Sequence, residues 1–339
     1  MIDAFRGIAI LGVLLFHYTF RWTQAFDPLG APAPLDLTIR AFRFGWLGVE
    51  FFFIISGFVI LMTLERCESI WDFAIRRVAR IYPAYLVCMI LTFVVVAGLG
   101  VPLFERNGWD LAAGVTMLPT YLGAQWVDGA YWSLLVELKF YVWIALLYFG
   151  LGRWLLAGWT LLCLATVASA VFRSHTTDQF LLGAHIAFFS AGMAFYRLHR
   201  DGRLRWGSIW LLVLAAATYL LFWSGRTPVV HLLVAAMVAG FVLRQTGWLD
   251  FLAVKPLVFI GLISYPLYLL HQDAGVALIA RITQSGFTAS WVATVLVAAA
   301  MIGAAWLVHR FAEVPLQGWV RATVGRWRFS DSPLLRRPE

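Results

Sequence analysis

Apolar runs of about twenty residues recur from one end of this chain to the other, and a helix of that length is about 30 Å long, the thickness of a bilayer's hydrocarbon core. Residues 82–100 and 206–223, for example, contain no Asp, Glu, Lys or Arg. The runs fall at 4–22, 45–64, 82–100, 131–150, 153–172, 180–199, 206–223, 228–245, 256–275 and 289–312. Of the 339 residues, 62% are hydrophobic and 13% charged, about half the charged share of an average soluble domain. The pattern predicts an all-α integral membrane protein with about ten transmembrane helices. No cleavable leader pattern precedes the first run, which reads as a retained span.

An even number of spans places both termini on one side. In that arrangement Arg66, Arg76, Arg77, Arg80, Arg197, Arg200, Arg203 and Arg205 share the side of the chain ends, as do the arginines of the tail. The opposite side holds Arg21, Arg40, Arg43, Arg106, Arg173, Arg226 and Arg281. The excess marks the first side as cytoplasmic by the positive-inside rule, so both N- and C-termini are expected there. The chain divides into a transmembrane domain at 1–320 and a basic cytoplasmic tail at 321–339. The net charge of +8 follows loops rather than one aromatic-studded soluble face, which argues against nucleic acid as a partner. Cys67, Cys88 and Cys163 lack metal-ligand spacing, and no metal is expected. Residues 69–80 read as an amphipathic lead-in to the third span, lying in the interface. The connections at 23–44 and 101–130 are long enough to cap a cavity.

An ionisable group within hydrocarbon is costly enough to need a partner, a wet cavity or a function. The first span carries Asp3, Arg6 and His17, the second Glu50 and Ser56, the fourth Ser133, Glu137 and Lys139, and the ninth Ser264, Tyr265, Tyr268 and His271. Counted along straight helices, His17 lies about 16 Å beyond Arg6 and His271 about 24 Å beyond Lys255, while Glu137 is about one and a half turns into a returning helix. All three fall in the outer half. His17 reads either as a general base near neutral pH, oriented by a carboxylate or another polar group, or as a histidine bonded between helices for packing. Ser56, in a Ser-Gly pair, reads either as chemistry or as a small residue at a helix contact. Arg77 and Arg80 are three apart on one helical face and suit either a phosphorylated ligand or ordinary anchoring at the membrane edge. Arg6 has Asp3 one turn before it, so a local ion pair competes with a ligand contact.

Five motifs in order give the chain a resemblance to the acyltransferase family 3 membrane proteins. They are Asp3, Arg6, Gly7, Ala9 and His17; then Gly48, Val49, Glu50, Phe52, Phe53, Ser56, Gly57 and Phe58; then Arg77, Arg80, Tyr82 and Pro83; then Trp132, Ser133 and Glu137, followed by Phe140 and Tyr141; and last Gly261, Ser264, Tyr265, Tyr268 and His271. Lys139 stands where the family usually has Gln before its Phe-Tyr pair.

The resemblance implies an enzyme that takes an acyl group from cytoplasmic acyl-CoA, usually acetyl-CoA, and delivers it to a hydroxyl acceptor at the outer side. It further implies a multi-pass protein of the bacterial inner (plasma) membrane acting on an envelope polysaccharide or glycolipid sugar. His17 would deprotonate the acceptor, with Glu137 or Glu50 orienting it, and Ser56 is the weaker candidate for a covalent intermediate. Arg77 and Arg80, with Arg6 and Tyr82, would hold the donor's phosphates, and a pantetheine arm of roughly 15–20 Å would reach to the depth of His17. Asp3, Trp132, Ser133, Tyr268 and His271 would line the route or stabilise the oxyanion. Two other readings are an acyltransferase for a small secondary metabolite or lipid, and a transporter of a polar or lipid-linked solute, which a polar cavity inside a helical bundle also suits.

Overall fold

The computed structural model describes residues 1–21, 40–173 and 179–330. Most of the predicted connection at 23–44, and the last nine residues of the predicted tail, lie outside the described residues. Every regular element among those described is helical. In chain order the α-helices are α1 (Ile2–Phe16), α2 (Leu47–Leu64), α3 (Ile70–Leu99), α4 (Gly108–Gly114), α5 (Trp132–Leu151), α6 (Leu155–Val171), α7 (Ile186–Asp201), α8 (Trp206–Trp223), α9 (Pro228–Gln245), α10 (Lys255–Leu262), α11 (Ser264–Leu270), α12 (Asp273–Gln284), α13 (Ser290–Val308) and α14 (Val314–Ser330). The protein is multi-pass: seven helical stretches of the described residues are long and apolar enough to cross a membrane.

Each difference from the apolar runs has a local cause. The stretch Gly129–Val171 holds two runs joined through a 3-10 turn at Gly152–Trp154, where Gly152 adopts φ +53° and ends α5. The run at 180–199 becomes a 16-residue helix, α7, because a 3-10 turn at Gly183–His185 precedes it. The run at 256–275 is broken into α10, α11 and the start of α12. Pro266 removes one backbone donor there, and the Ser264 hydroxyl donates to the Gly261 carbonyl at 2.7 Å. A straight-helix depth for His271 therefore does not apply. Residues 70–80 lead directly into the third span as the first turns of the 30-residue helix α3, which Ser69 caps by accepting from Asp72 N–H at 3.2 Å. Residues 321–330 continue α14 across the predicted start of the tail.

Close helix crossings set which faces meet. A Cβ on Gly192 of α7 would strike the Ile54 carbonyl and Gly57 of α2, and one on Gly57 would strike the Phe189 carbonyl. Only glycine at both positions lets the backbones touch, the small-residue packing that joins helices inside membranes. The crossing turns the ridge Glu50, Phe53 and Gly57 onto the ridge His185, Phe189 and Gly192, and Phe53 and Phe189 sit 4.8 Å apart between centroids. One helical face away, Val49, Phe52, Ser56 and Val59 look into a cavity inside the bundle.

Contacts between helices distant in sequence define two ends of the bundle. Arg80 with Glu313, and Arg200 with Glu65, lie at the end where α1 begins. At the opposite end, Arg281 donates to the carbonyls of Leu99 (2.7 Å) and Gly100 (2.6 Å), and His17, Trp132 and His185 lie there too. These are called the arginine end and the histidine end below.

Candidate active site

The arginine-lined cavity between these helices holds about 160 Å³, about ten times the space one water requires. Arg6, Arg77 and Arg80 line it together with Ser56, Ser133, Glu137, Tyr141, Tyr265 and Tyr268. Ser133, Glu137 and Tyr141 follow one another at i, i+4 and i+8, so a single face of α5 supplies all three. The Glu137 carboxylate accepts from the Ser56 hydroxyl at 2.8 Å and from the Tyr141 hydroxyl at 2.6 Å, both on the same oxygen. Ser56 therefore faces the cavity, and the helix contact belongs to its neighbour Gly57.

The three arginines are held differently. Arg6 faces Asp3 at 3.7 Å, and Arg80 pairs with Glu313, a fully buried carboxylate. The Arg77 guanidinium lies 5.8 Å from the Phe73 ring centroid and 6.0 Å from that of Tyr141, and its Nε is buried without a hydrogen-bond partner. Arg80 also lies 5.8 Å from the Tyr265 ring centroid, but Arg77 faces two rings and, unlike Arg6 and Arg80, forms no ion pair among the described residues. Tyr82 donates its hydroxyl to the Val115 carbonyl and lines a smaller neighbouring cavity with Arg77, Glu137 and Tyr141.

At the histidine end α1 passes into a π turn at His17–Arg21, a distortion frequent at functional sites. His17 Nδ1 lies 2.9 Å from His271 Nε2, and His271 Nδ1 lies 2.8 Å from the Tyr268 carbonyl oxygen. A carbonyl only accepts, so His271 carries its proton on Nδ1 and its lone pair on Nε2. His17 must then donate from Nδ1, which leaves a lone pair on His17 Nε2. The relay fixes one tautomer of each neutral ring, and His17 acquires the state a general base needs.

Neither glutamate occupies the position expected beside His17. Glu137 belongs to the cavity, while Glu50 places both oxygens 3.1 Å from His185 Nδ1, because the α2–α7 crossing directs its face toward α7. Tyr268 and Ser133 separate the cavity from the histidine pair. Their hydroxyls are 2.7 Å apart, both reach the Ala130 carbonyl (2.9 and 3.1 Å), and the Tyr268 ring lies 5.5 Å from that of His271. Trp132 sits half-exposed beside His185, with ring centroids 5.4 Å apart. Asp3 contacts Arg6 and does not line the cavity. Lys139 donates to the Leu181 carbonyl at 3.5 Å.

Asp128, which sequence reasoning missed, ties these parts together. One of its oxygens accepts from Ala130 N–H (2.8 Å) ahead of α5, and the other from Asp273 N–H (2.9 Å) at the start of α12. The Tyr131 hydroxyl adds a bond to the Leu269 carbonyl at 2.9 Å. The broken segment bearing Tyr268 and His271 is thereby fastened to the helix bearing Ser133 and Glu137, and its exposed backbone groups find partners within the protein, as a membrane interior demands. His185 and Glu313 were also missed. Glu313 is the only acidic residue between Asp273 and Asp331, a signal the sequence did offer.

Three relatives bear on these residues. Nodulation protein 10 of Rhizobium leguminosarum bv. viciae is 29% identical over 299 residues, 76% of this chain and 78% of that protein. The acyltransferase MdmB of Streptomyces mycarofaciens is 29% identical over 189 residues, 54% of this chain and 47% of that protein. The O-acetyltransferase OatA of Staphylococcus aureus is 24% identical over 160 residues, 42% of this chain and 23% of that protein. The chain thus spans about half of MdmB and about a quarter of OatA. No solved structure matches it. The model of the acyltransferase-domain family matches residues 1–310, a span that contains the histidine pair, the cavity arginines and Glu137, and on that match the chain belongs to this acyltransferase family.

Proposed function

We propose that the protein moves an acyl group, most simply acetyl, from acyl-CoA at the arginine end to a hydroxyl of an envelope polysaccharide or glycolipid sugar at the histidine end. The observation that carries this reading is the Tyr268 carbonyl–His271–His17 relay, which leaves a basic nitrogen at the opposite end of the bundle from a cavity lined with arginines. The relative OatA is an O-acetyltransferase, which supports oxygen as the acceptor atom. In this reading the chain crosses a bacterial plasma membrane about ten times, once for each apolar run, with both termini and the arginine end in the cytoplasm.

Arg77 and Arg80 hold the donor's phosphates, with Arg6 beside them, and the thioester arm extends through the cavity toward Tyr268. His17 Nε2 takes the proton of the acceptor hydroxyl as its oxygen attacks the thioester carbonyl. The tetrahedral intermediate then expels the CoA thiolate, which receives that proton from His17, so that the C–S bond is exchanged for a C–O bond and the base is regenerated. Glu137, holding Ser56 and Tyr141, keeps the arginine-rich cavity from excess positive charge.

The test is transfer of label from acetyl-CoA to an envelope glycan extract by membranes containing the protein. His17→Ala should abolish transfer, and the double variant Arg77→Ala/Arg80→Ala should raise the donor concentration required. Transfer by His17→Ala at the wild-type rate would refute the base assignment. Uptake of a solute into liposomes without any loss of label from CoA would favour the transporter.

A further inference from the structure

The pair Glu50 and His185 lies outside the proposed acyl-transfer steps, yet it is built with care. The turn Gly183–His185 is fixed by Trp223, whose indole N–H donates to the Ala184 carbonyl at 3.1 Å. Glu50 is only 3% exposed, and a buried carboxylate requires a partner. His185 Nδ1–H supplies it, equidistant from both oxygens. A carboxylate accepts only, so the proton is fixed on Nδ1 and Nε2 is left for another molecule. The Phe53 ring braces the imidazole from one side, 5.1 Å between centroids.

Beside it stands Trp132, 40% exposed, at the first residue of the helix whose next residue, Ser133, lines the cavity. A fixed hydrogen-bonding nitrogen next to an open indole face suits a ring with apolar C–H faces and hydroxyl edges. The C–H face rests on the indole, and a hydroxyl bonds to the imidazole. A linear alcohol would use only the second contact.

We propose that Trp132 and His185, the latter oriented by Glu50, form the subsite that seats the sugar ring of the acceptor. This rests on the acyl-transfer reading above. It assigns Glu50 a positioning part in acceptor recognition instead of one beside His17.

The experiment titrates an envelope glycan extract, and separately acetyl-CoA, into membranes carrying wild type, Trp132→Ala, Trp132→Phe, His185→Ala and His185→Gln. Loss of one stacking or hydrogen-bonding contact should raise the half-saturating extract about tenfold in either alanine variant. Phe and Gln should recover part of it, and half-saturation by acetyl-CoA should stay within about twofold. Methyl β-D-glucopyranoside should inhibit wild type more than Trp132→Ala, with glycerol weak against both. Unchanged extract dependence, an equal shift in donor dependence, or equal inhibition by glycerol and the glucoside would overturn the subsite. Absence of label transfer by wild type would instead overturn the acyl-transfer reading itself.

Discussion

The two ends of the bundle treat polarity in opposite ways. At the arginine end charge meets charge: Arg80 pairs with Glu313, Arg6 with Asp3, and Arg200 with Glu65 and Asp201. At the histidine end, apart from the Arg106–Asp273 pair at 3.4 Å, hydrogen bonds fix geometry: His17 to His271, His271 to a carbonyl, Tyr268 and Ser133 to Ala130, and Asp128 to two backbone donors. Ion pairs tolerate an exchange of partners, because attraction between charges depends weakly on angle. A tautomer relay does not, since each proton has one place. An anionic donor can thus be taken up at one end by competition for arginines, while the other end holds a base in a single state.

Disturbing the relay should cost the most activity. His17→Ala should lower turnover about 10²- to 10⁴-fold, the usual contribution of a positioned general base. His271→Ala should lose much of the same factor without touching the acceptor, because His17 can then take the unproductive tautomer. His271→Gln, whose carbonyl can still accept from His17 Nδ1–H, should recover part of it. Equal rates for the Ala and Gln variants in the label-transfer assay would show that tautomer control is not what His271 supplies.

At the arginine end stability and binding should separate. Removing one partner of a buried ion pair typically costs about 3–5 kcal/mol, so Glu313→Ala should sharply lower the thermal midpoint of the detergent-solubilised protein. Arg77→Ala removes an arginine held by rings rather than by a carboxylate. It should leave that midpoint nearly unchanged and raise the donor KM about 10- to 100-fold, as expected from charge-assisted hydrogen bonds of about 1.5–3 kcal/mol each. An unaltered donor KM in Arg77→Ala would place the donor phosphates elsewhere.

Much of this arrangement was legible beforehand. Apolar runs mark helices because the bilayer rewards them irrespective of partners, and each predicted run contains a helix. The motif residues Ser56, Arg77, Arg80 and Glu137 gather around one cavity, and His17 meets His271. What a linear pattern does not carry is helix rotation and interruption. Glu50 and Ser56 lie on one helix but face different neighbours, because Gly57 packs on Gly192. The π turn at His17, and the break that frees the Tyr268 carbonyl region for neighbouring side chains, depend on partners distant in sequence. His185 is one histidine at a turn within an apolar run until Glu50 is seen beside it.

The finest test asks whether Tyr268 is chemistry or scaffold. An oxyanion donor should cost about 10²- to 10³-fold when removed. Here the Tyr268 and Ser133 hydroxyls lie 2.9 and 3.1 Å from the Ala130 carbonyl and 2.7 Å from each other, so either can donate to that carbonyl. In Tyr268→Phe, Ser133 can turn its proton to Ala130 and satisfy it. The substitution should therefore cost about 1 kcal/mol of stability and less than about tenfold in rate. Ser133→Ala should behave similarly, because Tyr268 keeps its bond to Ala130. The double variant removes both hydroxyl donors and leaves the carbonyl only the Trp132 N–H, so its cost should exceed the sum of the two by about 1 kcal/mol. Additive losses in that cycle would mean the two hydroxyls do not share the carbonyl. A hundredfold loss in Tyr268→Phe alone would move the phenol from the scaffold into the reaction.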